Sequence, residues 1–338
     1  METNESKILL FNKFNNDSYF KNSNIFKMEN FDIYMYYYKH CIKNNLSDNC
    51  FDDIYFYLNK IFDLFDEYNI DKTNFYYNLF NYSLEKNDDA QFYTEIDLNG
   101  KMVYLMMYFL EEDDIYVKSH EFGHLLSYKF KNLDVKNIDN KNIITYTYSC
   151  GFSNSVAISD NGGELEENYI GVGLTEAVND FIVSLLLFDG NLFKCIDEDN
   201  VLLLCYMVGA QYIRALSDII GNDIIIKKFF SADLEGLIEE ISKYTEKDKV
   251  LKFVEDMDYV SQIKENMKDE LSYDDINITL NNCNIFLREL SLKKYGKVVC
   301  EDNLVTKITS DYLPFQIEKE VDIFFENKEK NKQKIRKF

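Results

Sequence analysis

Positive charge is scarce in this chain: 37 lysines and arginines face 59 aspartates and glutamates, a formal net charge of −22 over 338 residues. That balance argues against a nucleic-acid backbone or an anionic membrane surface as the main partner, because both attract cations. Histidine is scarcer still, with only His40, His120 and His124. Tryptophan is absent and proline occurs once, at Pro314, whereas 26 tyrosines and 27 phenylalanines are present. An AT-rich codon bias accounts for that skew, so a single tyrosine or asparagine carries little functional information. The seven cysteines form an odd, scattered set without a C-x-x-C pair. They fit a reducing compartment better than a disulfide framework, and they do not support a cysteine-rich structural zinc site. No apolar run is long enough to span a bilayer, and Met1-Glu2-Thr3-Asn4-Glu5-Ser6-Lys7 does not open a secretory signal. The expected compartment is the cytoplasm, with unconventional secretion left open.

What is present describes a globular chain. Apolar residues make up 46% of it, and no repeat or low-complexity linker divides it. The expected fold class is α+β, mostly helical, with a small mixed sheet or hairpins beside one central helix. Three regions are expected: a helical N-terminal region over 1–83, a core over 84–190 and a helical C-terminal region over 191–338.

In the first region, helices are predicted over Met28–Asn44, which holds His40, and over Asp48–Asn69, where Ile54, Leu58, Ile61, Phe62 and Phe65 recur at helical spacing. In the core, Gln91–Leu98 and Lys101–Leu110 read as strands around an Asn99-Gly100 hairpin turn. The acidic step Glu111-Glu112-Asp113-Asp114 opens a helix expected to reach Phe130. Asn142–Val172 reads as a hairpin or small sheet beside that helix, and Gly173–Phe188 as a helix stopping near Gly190. Helices are then predicted over Asn200–Ile220, Asp223–Phe230, Asp233–Tyr244 and Lys247–Leu271. The stretch from Tyr273 reads as mixed, with a short hairpin over Lys297–Ile308 and a basic tail of lysines from Lys328 onward.

One pentapeptide organises the core. His120-Glu121-Phe122-Gly123-His124 is an H-E-x-x-H motif inside the helix expected over Asp113–Phe130. Histidines four apart lie one helical turn above each other, so both imidazoles reach one metal ion. At about 100° per residue, Phe122, Leu126 and Ile115 fall on the opposite side and would enter the core. With three histidines in the chain, accidental occurrence of the motif is expected fewer than about one time in a hundred.

A catalytic zinc commonly has three protein ligands and an open position. Glu176, 52 residues after His124 on the next helix, is the candidate third ligand, and Asp180 lies one turn beyond it. Asp180 is the candidate carboxylate that accepts the second N–H of a ligating histidine and fixes its tautomer. Taken together, His120-Glu121-x-x-His124 and Glu176-Ala177-Val178-Asn179-Asp180 resemble the gluzincin, thermolysin-like zinc metallopeptidases, and H-E-F-G-H is also similar to the motif of lethal-factor-type peptidases. The resemblance covers roughly 111–188. It implies that His120, His124 and Glu176 hold Zn2+, that Glu121 is the general base and that Asp180 orients a ligand. The residues also depart from that pattern: Thr175 stands where asparagine is common, and no histidine follows His124 to stabilise an oxyanion. Tyr169 on the returning strand is the candidate replacement donor, or else a strand-packing side chain, and Arg214 is a second candidate. A metzincin is disfavoured, because Leu125-Leu126-Ser127-Tyr128-Lys129-Phe130 does not continue the H-E-x-x-H-x-x-G-x-x-H motif.

The expected activity is zinc-dependent hydrolysis of a peptide or protein, with the Lys101–Leu110 strand offering an edge to an extended substrate. The alternative is a peptidase-like module that binds zinc or a partner protein without turnover. Oligomeric state is open.

Overall fold

The computed structural model describes residues 48–85, 91–96, 103–108, 115–138, 141–160, 166–191, 193–195, 201–204, 206–260 and 273–305. The helix expected over Met28–Asn44 with His40, the turns at 99–100 and 161–163, the acidic step 111–114 and the basic tail lie outside these residues. The fold is α+β and mostly helical. In chain order the elements are α1 (Asp48–Glu67), α2 (Thr73–Asn81), β1 (Tyr82–Glu85), β2 (Gln91–Ile96), β3 (Val103–Tyr108), α3 (Ile115–Ser127), β4 (Tyr128–Ile138), β5 (Lys141–Cys150), β6 (Ser153–Asp160) and β7 (Glu166–Ile170). They continue as α4 (Val172–Leu187), β8 (Phe193–Cys195), β9 (Val201–Leu203), α5 (Met207–Ile220), α6 (Asn222–Phe230), α7 (Leu234–Ser242), α8 (Lys247–Val260), α9 (Tyr273–Tyr295) and a 3-10 turn (Glu301–Asn303).

The centre of the core is α4, which is buried on nearly every side and largely apolar apart from the face that carries Glu176, Asn179 and Asp180. Two close approaches fix it. A Cβ on Gly209 of α5 would lie 2.7 Å from the Cβ of Ala177, and a Cβ on Gly123 of α3 would lie 1.8 Å from Asn179 Oδ1. Both glycines are there because the neighbouring helix leaves no room for a side chain. The helix α1 packs its Ile54, Leu58, Ile61 and Phe65 stripe into the same core. Its Asp53 meets the buried Lys118 of α3 at 3.0 Å.

Strands wrap the helical centre. In the first sheet, β3 lies between β1, to which it is parallel, and β2, to which it is antiparallel. That enclosure suits an apolar strand such as Val103–Tyr108, but it corrects the expected binding edge: β3 has a partner on each side, and the sheet's edges are β1 and β2, of which β2 lines the cleft described below. The second sheet, β4-β5-β6-β7, is an antiparallel meander inserted between α3 and α4.

The helix expected to reach Phe130 ends at Ser127. Tyr128 and Phe130 alternate with lysines at period two, and the strand stacks Phe130 on Tyr146 and Tyr146 on Tyr148 while Lys129 and Lys131 face water. The abrupt change from helix to strand is stabilised from α2, where Asn78 Nδ2 donates to the carbonyls of Leu125 (2.8 Å) and Tyr128 (2.7 Å), and Asn74 Nδ2 donates to Tyr128 O. Three further expectations change. Val201–Leu203 is a strand paired with β8, so the helix expected from Asn200 begins at Met207. The stretch from Tyr273 is a 23-residue helix, and the described part of Lys297–Ile308 holds a 3-10 turn in place of a hairpin. Among the described residues no helix is long and apolar enough to cross a membrane.

Candidate metal centre

Two buried helices bring the three donor residues to one point. His120 Nε2 lies 2.9 Å from Glu176 Oε2 and 3.0 Å from His124 Nε2, and His124 Nε2 lies 3.3 Å from Glu176 Oε2. Tetrahedral coordination with bonds of about 2.0–2.1 Å requires donors roughly 3.3 Å apart. The residues therefore fit a small divalent cation after an outward adjustment of less than about half an ångström. Among the described residues His120, His124 and Glu176 form a group that could hold a metal ion.

The His120 side is tightly held. Asp180 Oδ1 lies 2.7 Å from His120 Nδ1 and also accepts the Tyr116 hydroxyl at 3.0 Å, while Oδ2 accepts the Tyr206 backbone N–H at 2.6 Å. Asp180 thus sits where an orienting carboxylate is expected. The Tyr206 ring stacks on His120 at 5.6 Å and 21°. Beneath them, Asn179 Nδ2 donates to His120 O at 2.7 Å, tying α4 to α3 at the close approach that Gly123 permits.

Strands supply the other contacts. Glu121 Oε2 accepts the backbone N–H of Phe92, on the β2 strand, at 2.7 Å. Cys150, the last residue of β5, places Sγ 3.7 Å from His124 Nδ1 and 3.3 Å from His124 O. These groups line a cleft of about 780 Å³ together with Gln91–Thr94, Tyr148, Ser153, Tyr169 and Val172. Tyr169 is half exposed and faces this cleft, together with Tyr93, Tyr148 and Tyr206. Arg214 is placed elsewhere: its guanidinium donates to the Gly190 carbonyl beyond the far end of α4, so it is not among the groups lining the cleft.

The charges around the donors are coupled. Burial works against a charge on His120, but its hydrogen bonds to Asp180 and Glu176 outweigh burial and raise its pKa to about 10. Burial likewise opposes ionisation of Glu176, yet the His124 charge and the two imidazole hydrogen bonds hold its carboxyl well below the usual range. Burial pushes the Glu121 carboxyl up, against the pull of the two imidazoles. A cation held by these donors would favour the neutral imidazoles and the ionised Glu176, so binding it would release protons.

Sequence reasoning named His120, Glu121, His124, Glu176 and Asp180, and these five stand together. It missed Tyr116, although its position four residues before His120 on the same helix face was a usable signal. Phe92, Cys150 and Tyr206 come from other elements, and nothing local marks them. No family model matches the chain, and neither a curated protein nor a solved structure does.

Proposed function

We propose that the protein is a zinc-dependent metallopeptidase of gluzincin type. His120, His124 and Glu176 would hold the ion, which when bound supplies a Lewis acid that acidifies water and polarises a carbonyl. Glu121 takes the proton of the attacking water on its carboxylate and delivers it to the leaving amine nitrogen. Asp180 keeps the His120 Nδ1 proton in place, so that Nε2 is the donor atom. The outer edge of β2, which lines the cleft, offers backbone groups to an extended peptide, and Tyr169 is a hydroxyl donor in the same cleft.

The observation that carries this reading is the combination of three metal-competent donors within 3.3 Å of one another and a glutamate on the same helix opening into the same cleft. A pure binding site has no use for Glu121. The test is metal analysis of the unaltered protein and of Glu121→Gln, followed by a peptide-library cleavage assay on both. Equal zinc content is expected, with cleavage by the unaltered protein and a loss of about 10²–10⁴-fold in the variant. Bound zinc with no cleavage by either would favour the non-catalytic module.

A further inference from the structure

The helix that delivers Glu176 has an unusual beginning. Four backbone N–H groups at a helix N-terminus lack intrahelical partners, and a side chain at the N-cap position commonly satisfies one of them. The N-cap of α4 is Gly171, which has no side chain. Glycine is required there twice over: φ is +78°, and a Cβ would lie 2.6 Å from Phe152 O. A second glycine, Gly173, follows in the first turn, so this segment has little intrinsic stiffness.

The missing cap comes from 84 to 87 residues further along the chain. Asp258 on α8 accepts Gly171 N–H at Oδ2 (3.0 Å), and Gly173 N–H (2.8 Å) and Leu174 N–H (3.4 Å) at Oδ1. The carboxylate also sits at the positive end of the helix dipole. Glu176 is two residues past the last of these contacts. We propose that Asp258 is a positioning residue of the metal centre: by clamping the glycine-rich start of α4 it sets where Glu176 meets the two histidines.

This inference rests on the metal-binding reading above and does not depend on catalysis. It makes a residue of the C-terminal helices a support of the site, acting through the backbone of α4. Metal affinity is sensitive to such supports because donor atoms must hold their places to within about half an ångström.

The test compares Asp258→Ala, Asp258→Asn and Asp256→Asn by zinc affinity in chelator competition, by the visible spectrum of the cobalt(II)-loaded protein and by thermal unfolding of the metal-free protein. Asp256 lies on the same helix, is buried and pairs with Lys252 at 3.0 Å, so it controls for general damage to α8. Zinc affinity should fall about tenfold or more in Asp258→Ala and less in Asp258→Asn, whose amide oxygen still accepts one N–H. The cobalt spectrum should shift in Asp258→Asn, while Asp256→Asn loses stability and keeps both zinc affinity and spectrum. Should Asp258→Ala fail to fold, Asp258→Asn carries the comparison. Unchanged zinc affinity in Asp258→Asn together with an unchanged cobalt spectrum would overturn the inference and leave the metal reading intact. Equal losses in Asp258→Asn and Asp256→Asn would overturn it too. An unaltered protein that binds no zinc would remove the metal reading and this inference with it.

Discussion

The helical side and the strand side of the metal centre are built differently. On the helical side, His120 is held by a fully buried carboxylate that has two other donors, by an asparagine on its backbone carbonyl and by a stacked tyrosine. On the strand side, His124 Nδ1 meets one thiol at 3.7 Å and Glu121 meets one backbone N–H. Redundant, charge-assisted bonds fix position, whereas single contacts leave a group able to move. On the proposed reading the helices would locate the ion, and the strands would bear on the groups that face the cleft.

Breaking the helical side should have the largest effect. Asp180→Ala is expected to weaken zinc binding about 10–100-fold, measured by chelator competition, because His120 loses the acceptor that fixes its tautomer. Next comes Gly123→Ala, whose new Cβ meets Asn179 Oδ1 between two packed helices. About 2 kcal/mol of stability should be lost, read by denaturant unfolding, since the fully buried Asn179 side chain that holds His120 O has to shift.

The strand side is probed more gently. Phe92→Pro leaves the ladder to β3 intact but replaces the N–H that Glu121 accepts with a ring carbon, so the Glu121 carboxylate loses its anchor and has to move. Relative to Phe92→Ala, which loses the same ring but keeps the N–H, kcat on a cleaved peptide should fall about tenfold with KM little changed. The smallest effect is expected for Cys150→Ala, less than about threefold in zinc affinity, because a thiol is a weak partner for an imidazole. A loss for Cys150→Ala as large as that for Asp180→Ala would erase the contrast between the two sides.

Much of the site was legible because its residues obey helical periodicity. His120, Glu121 and His124 share one helix, and Glu176 and Asp180 share another, so spacing alone put each set on one face. The amphipathic stripe of α1 was readable for the same reason, and the strands β2 and β3 from the Asn99-Gly100 turn signal between two apolar stretches. The strand β4 was misread because Tyr128–Phe130 continues an apolar helix without a proline or glycine to mark its end; the stop lies in Asn74 and Asn78, about fifty residues earlier. Val201–Leu203 was misread because a short apolar run suits either period, and only its pairing with Phe193–Cys195 decides.

By itself the chain of residues determined the α+β class, the metal-competent motif and the helix faces that bear it, because these depend on contacts within a few residues. Tertiary structure alone decided that β2 and not β3 has the open edge, that Cys150 and the Phe92 N–H reach the histidine helix, and that Asp258 caps α4. Each of those is a meeting of groups far apart along the chain. Which of them approach one another is settled by how the whole core packs, not by any local preference of the residues concerned.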